Sequence, residues 1–373
     1  MKDVIGLISA NYSTDKMEGL SDERSISSMP FGGRYRLVDF SLSNMINSGI
    51  TEVGLITPYK FRSLLDHIGT GSAWLLDRKK GGLYILPGAT FGMSRSSDRF
   101  LLCDIMQNEA YIRRSSADYV IVTSANIVAS MDFNPIIEAH AASGADLTMV
   151  CKQSSRKSHF LMGIKKKDGK VTGIKHGLEK GETAFLDTFV VGRELLLKFI
   201  DWYSAKDYMD IFDIMEPDYD KMDIRTYEYN GYSREIFTLQ NYFDFNMELL
   251  DPDVSYRLFD PQMPVRTKVQ DCIPGRLLPG SEVSDSLVSS GCWVKGKVDH
   301  SILFRGVTVE EGAVVSNSII MQSCIIRKDA VIKDAVIDRN NVIGAGMIIK
   351  GSPGEIYVMK KEQRTEENVK GRY

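Results

Sequence analysis

The chain has 373 residues, of which 43% are hydrophobic and 25% charged, and its formal net charge is −3. That length allows two full-sized cores, and the composition is ordinary for a globular fold. The charge offers no basic footprint for nucleic acid, and the longest apolar runs, such as Tyr119-Val120-Ile121-Val122, are far too short to span a bilayer.

The opening run Val4 to Ile8 is too short for a signal peptide and is expected to form a first, buried strand. The five cysteines (Cys103, Cys151, Cys272, Cys292 and Cys324) show no C-x-x-C spacing. Disulfides and a zinc site are therefore not expected, and the chain reads as cytoplasmic. At Pro30-Phe31-Gly32-Gly33-Arg34-Tyr35-Arg36-Leu37-Val38-Asp39-Phe40, two glycines break the chain ahead of two arginines at i and i+2. Such spacing fits an extended or turning segment that points both guanidinium groups the same way. Leu42, Met45 and Ile46 then recur at helical spacing, so a helix is expected over 42–48, stopped by Gly49.

Further along, strands are expected at Glu52 to Thr57, Tyr119 to Thr123 and Leu147 to Cys151. Helices are expected at Lys60 to His67, Pro135 to Ala142, Glu194 to Trp202 and Leu239 to Leu250. Alternating strands and helices imply an α/β, doubly wound, mostly parallel Rossmann-like sheet over residues 1–250, with ligands beyond the carboxyl ends of the strands. Pro252, Pro261, Pro264, Pro274 and Pro279 mark residues 251–280 as a linker or extended strap rather than a helix. From Ser286 the sequence repeats. Ser301-Ile302-Leu303, Ser318-Ile319-Ile320 and Ala335-Val336-Ile337 recur every 17 residues, as do Val309, Ile326 and Ile343. Gly312, Asp329 and Gly346 precede turns. Three short strands per repeat predict a prism-shaped parallel β-helix of at least three rungs, so that residues 251–373 form a linker plus a repeat domain.

The stretch from Pro30 through Ser41-Leu42-Ser43-Asn44 to Asn47-Ser48-Gly49-Ile50 resembles the N-terminal segment of glucose-1-phosphate adenylyltransferases, the ADP-glucose pyrophosphorylases of glycogen and starch synthesis. Those enzymes carry P-F-G-G-[RK]-[YF]-R-[IL]-[IV]-D-F at the same spacing. With the repeats, the resemblance covers most of the chain, and it implies a left-handed β-helix.

The motifs that carry chemistry depart from the family. Its loop after strand one is G-G-x-G-x-R-L, since backbone N–H groups wrap phosphates closely only where glycine lets them. Here the stretch is Ser9-Ala10-Asn11-Tyr12-Ser13-Thr14-Asp15-Lys16-Met17-Glu18, with no glycine before Gly19. Asp15, Glu18, Asp22 and Glu23 outnumber Lys16 and Arg24, a balance expected to repel a triphosphate. The family's K-R-A-K-P appears as Glu23-Arg24-Ser25-Ile26-Ser27, which leaves Arg24, Arg34 and Arg36 as candidate contacts for an effector or phosphate. The family's S-G-D-H, which supplies an aspartate to Mg²⁺, becomes Ser124-Ala125-Asn126-Ile127, and its D-[IV]-G-T becomes Glu235-Ile236-Phe237-Thr238. Only Gln107 and Asn108 survive of G-T-A-[DN]-A-x-x-Q-N, and Lys180 in Glu179-Lys180-Gly181 is the candidate for the lysine of E-K-P. His67 and Trp74 are expected to pack beside the pocket, and His300 to sit exposed between rungs.

This pattern resembles the GlgD-type subunit, the non-catalytic or weakly catalytic partner of an active subunit. The resemblance implies a degenerate pocket at Asn11, Gln107, Asn126, Lys180 and Glu235, with no catalytic residue and no metal site; Mg²⁺ belongs to the partner's reaction. It also implies a hetero-oligomer, a tetramer, with the catalytic subunit, and a sugar-phosphate effector. Two other readings remain open: an active nucleotidyltransferase with substitute residues, and a non-enzymatic sugar-phosphate-binding or scaffold protein.

Overall fold

The computed structural model describes residues 3–11, 16–88, 99–206, 208–352 and 354–365. The chain folds first as β1 (Val4–Ser9), the hairpin β2 (Pro30–Phe31) and β3 (Tyr35–Arg36), α1 (Leu37–Asn47), β4 (Glu52–Thr57), α2 (Arg62–Ile68) and β5 (Gly82–Pro87). Next come α3 (Leu102–Gln107), α4 (Glu109–Arg114), β6 (Tyr119–Ser124), β7 (Ile127–Ala129), α5 (Asn134–Ser143) and β8 (Leu147–Gln153). There follow β9 (Ser158–Lys167), β10 (Lys170–Leu178), β11 (Thr183–Gly192), α6 (Arg193–Tyr203) and α7 (Ile211–Ile214). The series ends with β12 (Ile224–Glu228), β13 (Ser233–Glu235), α8 (Leu239–Met247) and α9 (Pro252–Leu258).

Strands β6-β1-β4-β5 form the parallel part of one mixed sheet. They are covered on both faces, which is why β1, β4 and β6 read as unbroken apolar runs. Ile5 and Leu7 enter one core and Ile8 the other. β11 lies antiparallel beside β6 and carries β8 and β9 in turn.

The expected strands and helices are present, with three differences. Helix α1 begins at Leu37, earlier than its apolar spacing suggests, because the Asp39 carboxylate accepts the Arg36 N–H at 2.9 Å and satisfies the first turn. The β9–β10 hairpin was not anticipated, although Asp168-Gly169 supplies the two positive-φ residues of its tight turn. Residues 252–258 are helical rather than strap-like. Pro252 occupies the first turn, where no N–H is needed, and Asp251 caps it by accepting from Asp253 N at 2.9 Å.

From Arg276 the chain winds as a parallel β-helix, ten residues before the repeat is visible in sequence. Arg276 pairs with Trp293 at a step of 17, but Glu282, Leu287 and Trp293 each pair 15 residues on, which hides these rungs from a 17-residue pattern. The middle rungs step by 17, stacking Ile302 on Ile319 on Val336. The last steps by 22. Corners fall at His300, Asn317 and Asp334, all with positive φ, and at Gly312, Asp329 and Gly346.

The β-helix is fused to the sheet through a third core. It joins Met17, Ile26, Phe31 and Phe40 to Tyr242 and Phe245 of α8, and to Ile302, Phe304, Ile319 and Val336 of the rungs. Gly33 touches the rungs directly, and a Cβ there would lie 2.5 Å from Ser289 Oγ. Arg24 crosses the same junction, 2.7 Å from Asp338, with both side chains buried. Removing one partner of such a pair leaves an uncompensated buried charge. Asp338→Ala should therefore cost about 3–5 kcal/mol in urea denaturation. The Arg24→Met/Asp338→Leu double substitution should cost clearly less than either change alone.

Candidate functional site

Beyond the carboxyl ends of β1 and β6 lies the crevice where a doubly wound sheet places its ligand. Asn11 follows β1, but its amide faces Asp104 of α3, with Nδ2 3.0 Å from Oδ2. Asn126 follows β6 and is wholly buried. Glu235 ends β13, which pairs antiparallel with β7 and sets Glu235 opposite Ile127. The fold thus brings Asn126 and Glu235 together. Neither amide atom of Asn126 and neither oxygen of Glu235 has a hydrogen-bond partner among the described residues.

Three residues that motif reading missed complete this cluster. Asp210 caps α7 and also accepts the backbone N–H groups of Arg99 and Phe100, at 2.6 and 2.8 Å. Burial pushes its carboxyl up to about 6, against the pull of those hydrogen bonds. The Arg99 side chain so held is 2% exposed, with Nε 3.1 Å from Asp187 Oδ2. Its Nη2 donates to the Phe160 carbonyl, and its guanidinium lies 4.1 Å above the Phe237 ring. Asp187 sits at φ 42° where the β11 ladder shifts register between Phe185 and Phe189. A lone aspartate inside the apolar run Ala184 to Val191 was the signal for it. Burial raises the Glu235 carboxyl well above the usual range, and the neighbouring Asp187 raises it further. Asp187 is raised for the same first reason, opposed by Arg99.

The Mg²⁺ of the catalytic family does not fit these residues. That ion prefers several charged oxygens. Here one expected ligand is the neutral amide Asn126, burial raises the Glu235 carboxyl and so disfavours its charged form, and a guanidinium lies against Asp187. No group of three or more His, Cys, Asp or Glu suited to a metal occurs among the described residues.

Beside Glu235 opens a cavity of about 330 Å³, lined by Lys152, Arg156, Arg234, Phe160, Phe237 and Asp244 among others. Arg234 is paired with Glu248 at 2.8 Å, and Lys152 donates to the Gly231 carbonyl at 2.6 Å. Arg156 stacks 4.3 Å from the Phe245 ring, and burial together with Arg234 lowers its pKa. A second, narrower cleft of about 40 Å³ lies where the β2–β3 hairpin, the strap and the β-helix meet. Arg34, Arg36, His67, Lys268 and Arg305 line it, with no acidic residue among its lining. Arg36 donates to Ser63 O and Oγ at 2.7 and 2.9 Å, and burial lowers it to about 10. Arg34 is exposed at the turn.

The remaining candidates are dispersed. Gln107 is exposed at the end of α3, while Asn108 is turned inward to the Pro87 and Asp104 carbonyls. Lys180 lies exposed in the β10–β11 turn and does not line the cavity. Arg24 is corrected as an anion contact, because its guanidinium is buried against Asp338. Tyr12 to Asp15 of the loop lie outside the described residues. Asp22 and Glu23 do not crowd a phosphate site, since they pair with Lys360 and Lys361 of the last rung. His67 is buried, with Nε2 2.6 Å from Asp39, and packs edge-on against Trp74. His300 is an exposed corner residue bonded to Asp285.

The buried carboxyls make stability fall with pH. Between the ordinary carboxylate range, about 4, and their raised native values, the folded chain holds protons that the unfolded chain has released. Unfolding free energy therefore drops as pH rises through this window, by up to about 1.4 kcal/mol per pH unit for each proton. Glu235→Gln should flatten that slope, as measured by urea midpoints between acid and neutral pH.

Comparison with known proteins agrees with this architecture. Residues 12–191 match the nucleotidyl transferase family, and residues 278–355 match the GlmU-like C-terminal hexapeptide family, consistent with a left-handed β-helix. The chain is 33% identical over 359 residues to the glycogen biosynthesis protein GlgD of Bacillus subtilis, covering 96% of each. It is 34% identical to GlgD of Geobacillus stearothermophilus, covering 84% of this chain and 82% of that protein. It is 32% identical to the glucose-1-phosphate adenylyltransferase of Pseudothermotoga lettingae, covering 84% and 77%. A hairpin that ties a nucleotidyl transferase sheet to hexapeptide rungs, together with full-length identity at this level, places the chain in the glucose-1-phosphate adenylyltransferase family as a GlgD-type member.

Proposed function

We propose that this chain is a catalytically impaired regulatory subunit that assembles with a catalytic glucose-1-phosphate adenylyltransferase subunit and modulates it in bacterial glycogen synthesis. One observation carries the reading: the crevice is closed on itself, with Arg99 against Asp187, Glu235 buried without a hydrogen-bond partner among the described residues, and Asn126 where a carboxylate is needed. Removing one preorganised charge contact in an active site typically costs about 10²–10³ in rate. A missing metal site and a loop without glycines are together crippling, even though such losses do not simply add.

Modulation is supported by what remains. The cleft gathers Arg34, Arg36, Lys268 and Arg305 in its lining, a set of cations suited to the phosphate group of an effector. Because three parts of the chain build it, an anion there would bias how the β-helix sits against the sheet. A silent subunit acts on an active one only by contacting its two states differently. Assays of the chain alone, the catalytic partner alone and their mixture test this. The chain alone should form little or no ADP-glucose, Asn126→Asp should not restore turnover, and the mixture should differ from the partner in activity or effector sensitivity. Arg34→Ala should shift the activation curve of the mixture. Turnover by the pure chain at ordinary family rates would sink the proposal.

A second reading, sugar-phosphate binding without turnover, gains support from the cavity beside Glu235. Lys152, Arg156 and Arg234 line it together with Phe160 and Phe237, a setting for a phosphate and a sugar ring. Glucose 1-phosphate should raise the thermal midpoint of the chain, and Arg156→Ala should abolish that rise while free glucose has no effect on either protein. No rise with the unaltered chain rejects this reading and leaves the first intact.

A further inference from the structure

The misfit between this crevice and Mg²⁺ has a definite cause in the chain itself. We propose that Arg99 is a built-in cation that stands among the buried carboxylates in place of a metal ion and closes the crevice to divalent cations. The inference holds whether or not the chain modulates a partner, because it rests only on how Arg99 is held.

Every part of that residue is fixed. Its N–H donates to Asp210, its carbonyl accepts from Ser9 Oγ at the end of β1 at 3.2 Å, and its guanidinium bridges Asp187 and the Phe160 carbonyl over the Phe237 ring. At 2% exposure it ranks among the largest fully buried side chains of the described residues. Asp187 accepts a left-handed backbone, uncommon for a residue other than glycine, and so presents its carboxylate to Arg99. One fixed positive charge offsets the Asp187 carboxylate, and Glu235 is buried with no hydrogen-bond partner among the described residues. A divalent ion would have to displace the Arg99 guanidinium from Asp187. Lysine would not do the same work, because a compact ammonium lacks the planar fork that reaches carboxylate and carbonyl together.

The test uses the full chain, Mn²⁺ as the probe, and calorimetry with thermal midpoints as readouts that do not depend on activity. The unaltered chain should bind no Mn²⁺ in the crevice and show no midpoint shift. Arg99→Gln should bind one Mn²⁺ per chain and should gain an upward midpoint shift. Adding Asp187→Asn to Arg99→Gln should remove both. A folded Arg99→Gln chain that still ignores Mn²⁺ overturns the proposal. If Arg99→Gln does not fold, the unaltered chain and Asp187→Asn decide. A one-to-one Mn²⁺ site that Asp187→Asn removes overturns it, and the absence of any such site upholds it.

Discussion

The buried contact between Arg24 and Asp338 is the constraint on which the rest of the molecule depends. It joins residues more than 300 positions apart, and it does so inside a continuous apolar core rather than across a wet seam. A buried pair of this kind contributes little net stability, but it penalises every arrangement that separates the partners. Here it dictates where the N-terminal segment lies against the rungs. The Gly33 contact with Ser289 and the pairs of Asp22 with Lys360 and Glu23 with Lys361 follow from that placement.

Two consequences follow for function. The β2–β3 hairpin is pressed against the β-helix, which brings Arg34 and Arg36 beside Arg305 and Lys268 in one cleft. The segment that precedes the hairpin is drawn toward the rungs, with its acids turned to lysines there. The crevice at the ends of β1 and β6 is governed by a different balance. Its carboxyls are buried with too few cations, so Asp187 is paired with Arg99 while burial raises Glu235. Such a site is stable without a ligand, whereas a working phosphate and metal site holds charges that its ligands complete.

Much of the fold was legible in the sequence. Val4 to Ile8, Val53 to Ile56 and Tyr119 to Val122 lack polar side chains because they are covered on both faces, and they are strands. The rungs from Ser301 onward show their period because identical positions stack. Where the reading failed, the competing signal was local and present. Asp168-Gly169 marks the β9–β10 turn, and Asp251-Pro252 marks a capped helix that the density of prolines disguised. The first rungs were missed because a step of 15 does not match one of 17.

The candidate site was legible only in part. By itself the sequence determined the strands of the parallel core, the repeat, the family and the loss of charge at Asn126, because each of these is a matter of residue type at fixed spacing. It could not determine that Arg24 faces Asp338, that Lys180 points to solvent, or that Arg99, Asp187 and Glu235 meet. Those facts depend on which distant segments share a buried volume, and a buried charge is paired, protonated or expelled according to neighbours that only the tertiary structure supplies.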